Sequence, residues 1–146
     1  MSTDDVLRRS VTVRLAPDDA FRLFTAGLAE WWPLDTHSVG RVDALDVVLE
    51  PGIGGRLVET LADGSAAVWG VVTQWDAPRR VAFTWHPGTP ETEGTLVEVT
   101  FRAAGDGTEV ELAHSGWARR ADGERARGSY GSGWELVLGR FAATAG

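Results

Sequence analysis

The chain has 146 residues, 14 Lys+Arg against 21 Asp+Glu, a net charge of −7 and no Cys. That length suits one ordinary domain, and the acidic balance argues against nucleic acid and anionic membrane surfaces as partners. The absence of thiols excludes disulfides and thiolate metal sites; every basic residue is Arg, so lysine Schiff-base chemistry is excluded too.

Residues Met1 to Asp5 open acidic, without the basic and apolar regions of a targeting signal. No apolar run reaches the ~20 residues of a membrane helix, so a cytoplasmic location is expected. From Val6 to Leu15 the text reads as a strand, with Val11, Val13 and Leu15 on one parity and Thr12 and Arg14 on the other. Pro17 opens a helix with Asp18 and Asp19 in its first turn, where a fixed φ and negative charge are both favourable. Ala20, Leu23, Phe24 and Leu28 form its apolar stripe. Gly27 interrupts it, and a second short helix runs from Leu28 to Trp32, ended by Pro33.

Strands follow as far as His114. Leu45, Val47 and Leu49 alternate with Asp46 and Glu50; residues 51–55 turn; Arg56 to Leu61 and Ala66 to Trp75 are strands joined by a hairpin signal at Ala62 to Ser65. Val81, Phe83 and Trp85 share one parity, as do Val97, Val99 and Phe101, and Val110, Leu112 and His114. In the tail, Tyr130, Trp134, Val137, Leu138 and Phe141 make one continuous helical stripe. Ser132 with Glu135 matches a capping box. A start at Asp122 instead places Gly128, Gly131 and Gly133 inside the helix, each at a cost of about 0.5–1 kcal/mol. Hairpin-length connections and grouped strands with flanking helices indicate an α+β class, in which the last helix covers the apolar face of an antiparallel sheet.

Four stretches carry a resemblance to a known family: Ala20 to Phe24 with Ala29 to Pro33; Pro51 to Arg56; Gly70 through Pro78-Arg79-Arg80 into Phe83-Thr84-Trp85; and Gly133-Trp134-Glu135 leading into the last helix. In their order they resemble the START-like (SRPBCC, Bet v 1-like) superfamily, and its branch named after activators of the heat-shock-protein-90 ATPase. The resemblance implies a helix-grip fold over residues 1–146 as a single domain. In that fold a curved antiparallel sheet of about six to seven strands wraps a long C-terminal helix, with two short helices after the first strand and a cavity between sheet and helix. It also implies members as different as lipid carriers, secondary-metabolite binders, polyketide cyclases and co-chaperone domains, so function has to come from the site.

Seven tryptophans are the most informative excess. Phe83 and Trp85 share the inward parity and are both candidates for the cavity wall, Trp134 lies on the helix stripe, Trp32 is expected at the cavity mouth, and Trp69 is a further aromatic candidate. Glu59 faces inward if Leu57 and Leu61 do, and then needs a partner or a ligand; in the other register Val58 is inward and Glu59 is in water. His114 is either a polar contact or acid–base group in the cavity, or a strand-end histidine bonded to backbone. Tyr130 lies one turn before Trp134, its hydroxyl directed to a ligand or to solvent. His37 and His86 are read as solvated loop residues, and three scattered histidines make no metal motif. The turn Gly52-x-Gly54-Gly55 lacks the strand–loop–helix setting and the lysine of a phosphate loop.

The expected function is therefore to bind a small apolar or aromatic molecule in the cavity, without a cofactor or metal. Two alternatives use the same chain differently: a cyclase-, aromatase- or hydrolase-like enzyme in which Glu59, His114 or Tyr130 moves protons, and a chaperone-associated interaction module. A homodimer is left open.

Overall fold

The computed structural model describes residues 6–146; the acidic opening Met1 to Asp5 lies outside the described residues. The chain starts with β1 (Leu7–Val13), followed by helices α1 (Pro17–Thr25) and α2 (Leu28–Trp31). Pro17 sits at the start of α1 with Asp18 and Asp19 behind it, as the helix dipole favours. The two helices part at Gly27, where a Cβ would stand 2.9 Å from the Leu23 carbonyl oxygen. Ala20, Phe21 and Phe24 of α1 and Leu28 and Trp31 of α2 are buried.

Six further strands follow: β2 (Ala44–Leu49), β3 (Arg56–Leu61), β4 (Ala66–Asp76), β5 (Arg80–Trp85), β6 (Thr95–Ala104) and β7 (Gly107–Ser115). They form one antiparallel sheet in the order β1-β7-β6-β5-β4-β3-β2. Period-two burial fixes the register, since a one-residue slip would turn every apolar side chain outward. Thus Val99 lies opposite Leu112, and Phe101 opposite Val110, on the concave face. The convex face carries cross-strand ion pairs Arg80–Glu98 and Arg102–Glu109. Register shifts between Leu57 and Val58 and between Val72 and Gln74 supply curvature, because a bulge bends its strand. A third shift, between Ala44 and Asp46, breaks the expected alternation of Leu45 with Val47 and Leu49: the latter two are buried, whereas Leu45 is 64% exposed.

The last helix, α3 (Gly123–Ala145), is one element of 23 residues. Ser132 does not cap it. The hydroxyl sits inside the helix and donates to the Ser129 carbonyl, so the early start at Asp122 is the correct reading. Packing outweighs the glycine cost. At Gly131, which is buried, a Cβ would stand 3.1 Å from the Arg9 guanidinium and 4.0 Å from Leu7 Cδ1, both of β1. Trp134, Val137, Leu138 and Phe141 are buried against the sheet and α1–α2, with Phe141 in edge contact with Phe24 (5.4 Å) and Trp31 (5.0 Å). This is the helix-grip architecture. No helix of the described residues is long and apolar enough to cross a membrane.

Candidate functional site

Leu138 and Phe141 of the α3 stripe are buried away from open space, whereas Tyr130, Trp134 and Val137 of the same stripe border it. There a cleft of about 330 Å³ opens, within the usual size range of small-molecule sites. Trp32, Trp85 and Trp134 form its aromatic wall. Their rings lie within contact distance of one another: Trp85–Trp134 5.2 Å, Trp32–Trp85 5.9 Å and Trp32–Trp134 6.0 Å. Tyr130, Gly133 and Val137 of α3 line one side. Thr36, His37, Ser38, Val39 and Arg41, from the segment between α2 and β2, line another, and Pro87 and Gly88 close the rim.

The segment between α2 and β2 has little regular structure, so its shape depends on side-chain partners. Trp32 Nε1 donates to the His37 carbonyl (2.6 Å), Ser38 Oγ donates to the Leu34 carbonyl (2.6 Å), and Thr36 Oγ1 pairs with His37 Nδ1 (2.7 Å). Glu59 supplies the strongest anchor. It does face inward, in the register that the apolar parity of Leu57 suggests, and it is 0% exposed. Its Oε1 accepts the Val39 N–H and the Trp69 indole N–H, and its Oε2 accepts the Gly40 N–H, each at 2.8 Å. All three partners are donors, so the group serves purely as an acceptor, the behaviour of a carboxylate. A Cβ on Gly40 would fall 2.2 Å from Leu61 Cδ2, so a larger residue there would push that methyl aside. Glu59 and Trp69 thus stand behind the cleft wall, not in the cleft.

His114 is likewise consumed by the core, at 0% exposure. Trp134 Nε1 lies 2.9 Å from its Nδ1 and Thr95 Oγ1 lies 2.6 Å from its Nε2. An indole nitrogen only donates, so Nδ1 is the bare acceptor and the ring proton sits on Nε2, facing Thr95. Thr95 passes the chain on by donating to the Trp85 carbonyl (3.1 Å). Burial, with the charge of Arg120 as a second cause, pushes the His114 pKa down to about 3. His114, expected as a cavity contact, an acid–base group or a strand-end histidine, does not line the cleft, and its ring links α3 to β6 through Trp134 and Thr95. Phe83 is also buried beside Trp85 (5.9 Å) without reaching the cleft. His86, expected in solvent, is 8% exposed.

Of the eight candidates, the cleft brings together Trp32, Trp85, Tyr130 and Trp134 and leaves Glu59, Trp69, Phe83 and His114 behind it. Tyr130 accepts the Trp85 indole N–H (3.1 Å) and also faces the guanidinium of Arg120, which is paired with Asp122 at 2.9 Å. Residues 36–41 had no periodic signal. The inward carboxylate at Glu59 was the available clue, since a buried carboxylate requires donors and a glycine-containing loop is a ready source of them.

A sequence profile of the family described as Activator of Hsp90 ATPase homolog 1-like protein matches residues 14–146. No curated protein sequence matches the chain. Among solved structures, the anthrahydroquino-gamma-pyrone synthase Txn09 is 31% identical over 94% of this chain and 95% of its own, with a TM-score of 0.64. A Bacillus halodurans protein superposes over 100% of both chains at 17% identity and a TM-score of 0.71. The Aha1 dimer of Colwellia psychrerythraea matches over 96% of this chain and 95% of its own at 18% identity and a TM-score of 0.68. The last two likenesses concern the fold alone. With the profile spanning nearly the whole sequence and the helix-grip topology in place, the chain belongs to the Activator of Hsp90 ATPase homolog 1-like family.

Proposed function

We propose that the protein binds a small, flat, largely apolar molecule against the wall of Trp32, Trp85 and Trp134. The observation that carries this reading is an open cleft of about 330 Å³ whose lining includes three indoles, each buried but for an edge: Trp32 is 8% exposed, Trp85 3% and Trp134 2%. Ring faces accept a planar partner by stacking, and each Å² of apolar surface removed from water contributes about 25 cal/mol. Titration with a planar aromatic probe is expected to quench tryptophan emission and raise the melting temperature. A panel of such probes that leaves both signals unchanged would refute ligand binding.

Gly133 offers a sharper check. It lines the cleft, and a Cβ there meets nothing within 4 Å. Gly133→Ala is expected to raise stability by about 0.5–1 kcal/mol, because alanine is the better helix former, while weakening probe binding by intruding on the cleft. Gly133→Leu is expected to abolish binding in a folded protein. Unchanged affinity in the leucine variant, measured by the same quenching titration, would move the ligand elsewhere.

A cyclase-type enzyme is the second reading, supported by the 31% identity to a synthase and by the Tyr130 hydroxyl and His37 ring in the cleft. Neither of the buried groups Glu59 and His114 serves that reading, since their polar atoms are already engaged. For an interaction role, or a homodimer, the support is the edge strand β2, where Leu45 and Val48 are exposed beside an unpaired strand edge, together with the dimer of the Colwellia relative. Sedimentation of the purified chain tests self-association, with a concentration-independent monomer as the refuting result.

A further inference from the structure

The polar lining of the cleft has a one-sided chemistry. The chain carries 21 acidic residues, yet no carboxylate lines this cleft. Its one permanently charged lining side chain is Arg41, which takes part in none of the ion pairs among the described residues. The Tyr130 oxygen is occupied by the Trp85 indole N–H, so the phenol proton remains to be donated. The positions that line the cleft therefore present donors and positive charge without a charged acceptor.

The backbone at Arg41 is unusual as well. It is the one non-glycine residue with positive φ (51°) among the described residues. Left-handed backbone at such a residue persists only where neighbours enforce it. Here the Arg41 N–H donates to Ser38 Oγ (2.7 Å), and the preceding Gly40 N–H is held by Glu59 (2.8 Å). The loop is thus fastened in the shape that sets Arg41 at the cleft.

We propose that the cleft selects flat aromatic molecules bearing an anionic oxygen, a carboxylate or a phenolate, with the indoles holding the ring system, Arg41 supplying the countercharge and Tyr130 donating a hydrogen bond. This rests on the ligand-binding reading above and narrows its ligand class. Neutral aromatics of the same shape share the stacking and lack the countercharge. Because Arg41 is solvent-exposed, its contribution is modest and is screened by salt.

The test is calorimetric titration of the intact chain with 2-naphthoate and with 2-naphthamide, its neutral isostere. The acid is expected to bind about fivefold more tightly at low salt, and the preference shrinks in about 0.5 M salt, where the charge of an exposed arginine is screened within a few Å. Arg41→Gln is expected to remove the preference by weakening the acid alone; Arg41→Lys retains part of it. Tyr130→Phe weakens the acid while leaving the fold intact by circular dichroism. Equal affinities for acid and amide in the wild type, or a preference that survives Arg41→Gln, overturn the proposal and leave the ligand-binding reading standing. Absence of binding by either compound overturns both.

Discussion

Replacing Glu59 with alanine is expected to lower the melting temperature by roughly 10–20 °C, the equivalent of about 3–5 kcal/mol in a chain of this size. The carboxylate serves three buried or half-buried donors at 2.8 Å: the Val39 and Gly40 amides and the Trp69 indole. Removal strands all three, and an unsatisfied buried polar group costs about 1–3 kcal/mol. The Glu59 side chain is 0% exposed, so its bonds to the loop are made inside the fold. Glu59→Gln keeps the volume but places an amide NH₂ against donors, and a smaller loss is expected. Both variants should also speed hydrogen exchange at Val39 and Gly40 and weaken probe binding, because that loop is one wall of the cleft. A Glu59→Ala protein that melts within about 2 °C of the wild type would show that the carboxylate does not anchor the loop.

His114 predicts a second large effect, on acid stability. The unfolded chain takes up this proton near pH 6.5, whereas the fold resists it down to about pH 3. Between those values the unfolded state binds more protons, so stability rises with pH. The contribution is complete above about pH 6.5 and is lost as the pH falls, at up to about 1.4 kcal/mol per unit. Ordinary carboxylates titrate below about pH 5, which leaves pH 5–6.5 as the window in which His114 can be isolated. Denaturant midpoints measured across that window are expected to fall with acidity in the wild type. His114→Gln retains an acceptor for Trp134 and a donor for Thr95, and is expected to flatten the slope while lowering stability at pH 7. A slope undiminished in that variant would assign the acid sensitivity to other groups.

These two residues also mark where sequence reading stopped. Alternation placed His114 on the inward parity and left Glu59 open between an inward register and one in water, because strand geometry turns every second side chain to the same face. It did not say whether the polar atoms met a ligand or the protein's own donors, since their partners come from residues 39, 40, 69, 95 and 134, far away along the chain. The same limit applies to the aromatics. Composition announced an excess of tryptophan, yet Trp69 is sealed in the core while Trp85, 5.5 Å away, borders open space.

Local patterns were enough for the order of elements, the antiparallel sheet and the covering helix, because periodicity and turn chemistry act over a few residues. They left the start of α3 open between Asp122 and Ser132, and they misjudged the exposure of Leu45, where a bulge resets the alternation. The cleft itself was decided by tertiary structure alone. Its wall from residues 36 to 41 has no repeating pattern, and it takes its shape only when Glu59 on a neighbouring strand supplies the acceptors that the loop's amides require.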